Sequence, residues 1–173
     1  LQHRGFFKFA PHGNTKYIFV KVTNNLIEKA TEEEIKDLVL TYLETTVSDL
    51  KIYNFFADKT RYFKEDFLSL LDTVDVHFVE DTKDFSYIYF KNCALKVSAE
   101  GIDTVDYIDL EGYVWSDQVI DREFTFRDDN DCDFKKFISN ISCHDDPRIK
   151  SLESTIGFLM SGYKDPGFCP SVI

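Results

Sequence analysis

Glycine and proline are scarce in this 173-residue chain, at seven and four residues. That excludes a collagen-like or low-complexity protein, and with 43% hydrophobic and 29% charged residues the composition is that of a folded globular chain. No apolar run approaches the roughly 18 residues a membrane-spanning helix needs. Only four cysteines occur, Cys93, Cys132, Cys143 and Cys169, and none form a C-x-x-C pair. A disulfide framework is excluded, and reduced thiols in a cytoplasmic protein are expected. A zinc site from Cys132, Cys143, His144 and Cys169 is disfavoured, because adjacent residues such as Cys143 and His144 are poorly placed to share one metal. Absent too are a P-loop, a G-x-S-x-G elbow and an H-E-x-x-H helix. The chain starts at Leu1 with no signal-like stretch, and a segment of a longer protein is expected.

Negative charge dominates instead. Twenty Lys and Arg stand against thirty-one Asp and Glu, a net of −11, which excludes a uniformly basic DNA-binding surface. The charge is unevenly placed. Residues 1–30 hold Arg4, Lys8, Lys16, Lys21 and Lys29 against Glu28 alone, five minus one, or +4. Residues 100–133 hold twelve acids against Arg122 and Arg127, two minus twelve, or −10. An acidic stretch of this kind suits a basic neighbouring domain or subunit.

The coarse pattern is α+β. GFFKFA at 5–10 and KYIFVKV at 16–22 flank the turn-rich Pro11-His12-Gly13-Asn14 and predict a hairpin. Thr31 and Glu34 form a capping box before Ile35, Leu38, Val39, Tyr42 and Leu43, a helical stripe. Ser48 is expected to cap a second short helix with Leu50, Ile52, Tyr53 and Phe56. A third over 64–72 turns Phe67, Leu68 and Leu71 inward. The three resemble a small winged-helix-like unit, so residues 1–73 are expected to fold together. An antiparallel region is expected over 74–126, from VHFV (76–79), YIYF (87–90), CALKVSA (93–99), VDYI (105–108), YVW (113–115) and REFTF (122–126). Residues 127–173 are expected to form a C-terminal helical pair. Asp133 caps the first helix, with Phe134, Phe137 and Ile138 inward. Asp146-Pro147 opens the second, with Ile149, Leu152, Ile156 and Leu159 on one face and Gly162 and Asp165-Pro166-Gly167 as stop signals. Ser171-Val172-Ile173 reads as the start of a strand.

The acidic run from Asp128 to Asp133 fails as a calcium loop. Phe134 stands where an EF-hand needs Gly, and Asn140 where it needs Glu. His3, His12, His77 and His144 show no paired nucleophile or base, so no catalytic residue and no metal are assigned. The basic head is the binding clue. Arg4, Lys8, Lys16 and Lys21 alternate with Phe6, Phe7, Phe9, Tyr17 and Phe19. Cations that track phosphates beside aromatic faces that stack on bases hold single-stranded nucleic acid, with Phe7 or Tyr17 as the stacking candidates. The competing reading makes the aromatics half of a core and the lysines the wet face of a hairpin.

Several phrases resemble primase-helicase proteins of phages, prophages and related mobile elements. They are DTKDFSYIYFKNCALKVS at 81–98, GYVWSDQVIDREF, and DFKKFISNISCHDDPRIKSLESTIGFLMSGYKDPGFCPSVI at the end. YIFVKV and EEEIKDLVLTYLE fit the same region of that family. The resemblance implies a region directly upstream of a superfamily 3 type helicase motor, with a Walker A loop beyond Ile173. ATP and Mg²⁺ then belong to that motor, and the primase carboxylates to a separate domain. It implies a non-catalytic accessory domain in DNA replication whose partners are its own ATPase and primase domains, single-stranded DNA and further copies in a ring, with no membrane. The rival expectations are a protein–protein interaction or oligomerisation module without nucleic-acid binding, and a small independent enzyme, for which no motif is present.

Overall fold

A computed structural model describes residues 1–11, 16–126 and 132–164. Its strands are β1 (Phe6–Phe9), β2 (Ile18–Thr23), β3 (Leu26–Lys29), β4 (Phe85–Tyr89), β5 (Ala94–Ser98), β6 (Gly101–Val105) and β7 (Val114–Trp115). Its helices are α1 (Glu32–Tyr42), α2 (Leu50–Asp58), α3 (Glu65–Leu68), α4 (Asp133–Ile141) and α5 (Asp146–Met160). The fold is α+β, as the patterning indicates. No helix among the described residues is long and apolar enough to cross a membrane. The chain divides into two compact units, residues 1–79 with 110–118, and residues 80–109 with 119 onward.

In the first unit β1 and β2 pair antiparallel, Phe6 opposite Lys21 and Phe9 opposite Ile18. His12, Gly13 and Asn14 of the expected turn lie outside the described residues. β2 returns into β3 through Asn24 (φ 48°) and Asn25 (φ 63°), a two-residue turn with both residues left-handed, which matches the twist of an antiparallel pair. The Asn25 side chain donates to the Leu110 carbonyl at 3.1 Å, and Val114 N–H donates to the Asn25 carbonyl at 2.9 Å. These bonds seat β7 parallel to β3 and complete the order β1-β2-β3-β7. YVW therefore joins the N-terminal sheet rather than an antiparallel middle region. VHFV forms only an isolated parallel bridge, Phe78 to Tyr113.

Side chains alternate across this sheet and bury both faces. Phe6 packs with Ile35, Leu68 and Leu71 beneath the helices. Phe9, Val20, Ile27 and Val76 form the opposite cluster with Phe78 and Trp115, whose rings stack at 5.5 Å. Each fully buried aliphatic contributes about 1.5–3 kcal/mol over leaving it in water.

The capping box is present. Thr31 Oγ1 accepts from Glu34 N–H at 3.2 Å, and Glu34 Oε2 accepts from Thr31 N–H at 2.7 Å. α1 runs on into a wide turn closed by Ser48 at φ 53°. Ser48 Oγ donates back to the Glu44 carbonyl at 3.3 Å, so the next residue caps α2: Asp49 Oδ1 accepts from Lys51 N–H at 2.8 Å. The expected Ser48 cap is thus one residue early. α3 is a single turn. Leu68 and Leu71 are buried, but Phe67 is exposed and packs edge-on to Tyr62.

The second unit contains the antiparallel meander β4-β5-β6. Its last strand is Gly101–Val105, four residues ahead of the expected VDYI. Tyr107 instead sits in a 3-10 turn, buried, its hydroxyl donating to the Phe90 carbonyl at 2.6 Å. REFTF is not a strand. Asn92 clasps it, Oδ1 accepting from Phe124 N–H at 2.7 Å and Nδ2 donating to the Phe124 carbonyl at 3.0 Å. α4 starts at Asp133, with Cys132 rather than Asp133 in the cap position and no side-chain cap bond. Ile138 is buried, whereas Phe134 and Phe137 are more than half exposed, against the expected inward stripe. Cys143 (φ 54°) and His144 (φ 57°) turn the chain into α5. Asp145 rather than Asp146 caps α5, accepting from Arg148 N–H at 3.0 Å, with Pro147 in the first turn. The Asp165-Pro166-Gly167 stop and the Ser171–Ile173 strand lie outside the described residues.

Candidate nucleic-acid interface

The register of β1 and β2 decides what the basic head presents. Lys8 lies opposite Phe19 and Phe6 opposite Lys21, so Lys8, Phe19 and Lys21 share the face that Phe6 presents to the helices. Phe7 is on the other face, half-buried against the Phe9–Val20–Ile27 cluster. Phe7 and Tyr17 are therefore not brought together as one stacking platform.

Each cation has its own surroundings. Lys8 Nζ donates to the Ser69 carbonyl at 2.5 Å and sits 5.4 Å from the Tyr17 ring centre. Lys21 Nζ pairs with Glu28 at 3.0 Å across β2 and β3. The Arg4 guanidinium lies 5.9 Å from the Tyr42 ring centre. Lys16 is exposed and forms no ion pair with a described residue. Tyr17 meets Phe19 edge-to-face at 5.6 Å. Burial pushes its phenol above the ordinary value, and the hydrogen-bonded Glu65 carboxylate adds to the rise. Glu28, Glu65 and Asp66 thus stand among the cations, so the surface is mixed in charge. Lys8, Lys16, Tyr17 and Lys21 remain on or beside one face, with one tyrosine ring already under a lysine.

A second aromatic row was legible only as strand alternation. Phe85, Tyr87 and Tyr89 sit two residues apart on β4, Tyr87 and Tyr89 stacked at 6.2 Å and 8° between planes. Tyr107 continues the row, 6.4 Å from Tyr89. Lys96 Nζ lies 4.4 Å from the Phe85 ring centre. Burial pushes Tyr89 well above its ordinary value and Tyr107 up to about 12. On the other side of β4, a groove of about 390 Å³ runs along Ile88 and Val97 to Met160 and Tyr163. Asp81 fixes its end: Oδ1 accepts from Tyr87 N–H at 2.8 Å and Oδ2 from Gly162 N–H at 2.6 Å. Ser86 and Ser161 hydroxyls meet at 2.7 Å beside it.

Among the described residues no three His, Cys, Asp or Glu side chains gather as metal ligands. Cys169 and His12 lie outside them. A Ser–His contact exists, Ser139 Oγ to His144 Nδ1 at 2.8 Å, but it is exposed and closes the turn after α4. Burial raises the Cys93 thiol, the opposite of an activated nucleophile. No protein-family model matches the chain, and neither the curated proteins nor the solved structures contain a significant match.

Proposed function

We propose that this chain is a non-catalytic accessory module of a mobile-element primase-helicase and that it acts by assembly more than by gripping DNA. The family phrases quoted above motivate the setting. The observation that carries the assembly role is the outer face of α4. Phe134 and Phe137 stack at 6.5 Å while 59% and 55% exposed, and Ile141 follows them at 52%. On α5, Leu159 and Met160 are 65% and 64% exposed. Contiguous apolar side chains left in water are the usual mark of a protein contact. In this reading the motor, with its ATP and Mg²⁺, lies outside these residues.

The test starts from the full reading frame. A Walker A loop soon after Ile173 and ATP hydrolysis stimulated by single-stranded DNA are the expected result. In that full-length protein, Phe134→Ser with Phe137→Ser is expected to shift sedimentation to smaller species without unfolding this module. A reading frame without a Walker A loop, or an unchanged assembly state in the double variant, overturns the proposal.

The second reading is single-stranded DNA on the hairpin, favoured by exposed Lys16 and by Lys8 over the Tyr17 ring. Lys8→Glu with Lys21→Glu is then expected to weaken oligonucleotide binding and flatten its salt dependence by about 0.7 log–log units per lost phosphate contact.

A further inference from the structure

Among the described residues, β6 is an open sheet edge. It pairs with β5 through five consecutive residues, from Ser98 opposite Gly101 to Ala94 opposite Val105. On its outer side no described residue pairs with it, and Gly101 to Thr104 are exposed. Alternate N–H and C=O groups of such a strand face water and template a further strand. Protected edges carry proline, a bulge or several charges. β6 has no proline, an unbroken one-to-one register and Asp103 as its sole charge, and it leaves Ile102 56% exposed.

The two faces of the edge differ. Ser86, Val97 and Ile102 form one cross-strand row, so Ile102 extends the apolar lining of the groove beside Val97. Lys96 and Asp103 form the neighbouring row on the opposite face. Along and beside the edge stand Glu100, Asp103 and Asp106, none in an ion pair with a described residue, with Lys83 and Lys96 lining the shallow depression that Glu100 and Asp103 also line.

We propose that β6 takes up an extended basic segment of a partner protein by antiparallel strand addition, the segment alternating Lys or Arg with an apolar residue. Ladder hydrogen bonds would supply the attachment. The apolar residues would continue the Val97–Ile102 row, and the cations would meet Asp103 and the flanking acids. A second copy is the wrong occupant, because β6 against β6 brings two sets of these acids together, and like charges across a strand pair repel. Nucleic acid is wrong for the same reason of sign. The inference does not depend on the helicase setting, since its readout is peptide binding rather than ATP hydrolysis or ring assembly.

The probe is a fluorescent, end-blocked heptapeptide of alternating lysine and valine, titrated by anisotropy at low salt. Its control replaces every valine with proline, keeping the charge but removing the ladder. The valine peptide is expected to bind and to slow amide exchange within Ile102–Thr104. The proline peptide and the Asp103→Lys variant are each expected to weaken binding about tenfold or more. Because Asp103 is exposed on an edge, D103K keeps its fold, which circular dichroism checks. Equal binding of both peptides, unchanged affinity in D103K, or no protection at β6 would overturn the proposal. So would a dimer that protects β6 without peptide, which would assign the edge to a second copy.

Discussion

The N-terminal strands β1-β2-β3 and the β4-β5-β6 meander are both antiparallel and aromatic, yet they use their side chains in opposite ways. The first unit buries both sheet faces, Phe6 and Ile35 on one side and Phe9, Val20 and Ile27 on the other. Three of its cations are engaged within it, Lys8 by a carbonyl, Lys21 by Glu28 and Arg4 by the Tyr42 ring, while Lys16 stays exposed. The meander leaves an edge strand open and its nearby acids without ion-pair partners among the described residues. The net charge of a sequence segment is therefore a poor measure of the charge it offers a ligand. What matters is which side chains the register has already satisfied.

The comparison breaks most readily at its cores. Ile35 is fully buried. Ile35→Ala should destabilise the first unit by about 2–5 kcal/mol, read from urea unfolding, with a larger loss where the site collapses less. Phe134→Ala, at an exposed position, should change stability by less than about 0.5 kcal/mol. Equal effects would mean that α4 is not a free face. The next contrast sets two glycines apart. Gly5 has φ 83°, and a Cβ there would lie 2.2 Å from the Val22 carbonyl oxygen. Gly5→Ala should cost at least about 1–3 kcal/mol. Gly157 lies within α5 with open space around it, and Gly157→Ala should gain about 0.5–1 kcal/mol.

The two units should also respond differently to pH. In the second, burial raises Tyr89 and Tyr107, the latter to about 12. The folded state keeps phenol protons that the unfolded chain releases above its ordinary value near 10, so stability present below that pH is lost as pH rises from about 10 toward 12. Tyr107→Phe should remove part of this alkaline loss, at the cost of the bond to the Phe90 carbonyl. In the first unit, the Lys64 hydrogen bond, joined by Glu65 N–H, holds Glu32 below the ordinary 4.5. Its contribution is present above that value and is lost as pH falls through the lower folded value, so Glu32→Gln should flatten the acid limb. The same pair holds Lys64 above 10.5, a contribution lost only as pH rises through the raised value.

Local rules were readable from the residues, and non-local pairings were not. The capping box at Thr31 and Glu34 stands as read, because its partners are three residues apart. β3 was missed: Asn24-Asn25 is a hairpin signal, but Leu26–Lys29 is too short for alternation to register. The move of Val114–Trp115 to the N-terminal sheet had no local signal, since it depends on Asn25 reaching Leu110 across 85 positions. Caps slipped by one residue where two capping side chains are adjacent, Ser48-Asp49 and Asp145-Asp146, and backbone conformation chose between them. In the candidate interface the alternation of cations and rings was visible. The placement of Phe7 on the far face, and of Glu28 and Glu65 among the cations, required the register.

The smallest effect tests the most functional part of the comparison. Lys21 and Glu28 meet at 3.0 Å with side chains 39% and 50% exposed. Water and salt screen such a pair, so Glu28→Gln should change stability by less than about 0.5 kcal/mol, and by less still at high salt. Its effect on a ligand is separate from its effect on the fold. If Lys21 serves a phosphate, removing the adjacent carboxylate should strengthen binding of an oligothymidylate and steepen its salt dependence by up to about 0.7 log–log units. Asp103→Asn removes the same charge from the meander and should leave that slope unchanged, because no cation of the hairpin is paired with it. A rise in both variants would mean that net charge alone governs the interaction. A rise in neither would remove Lys21 from the interface and leave the hairpin as a packed, internally neutralised sheet.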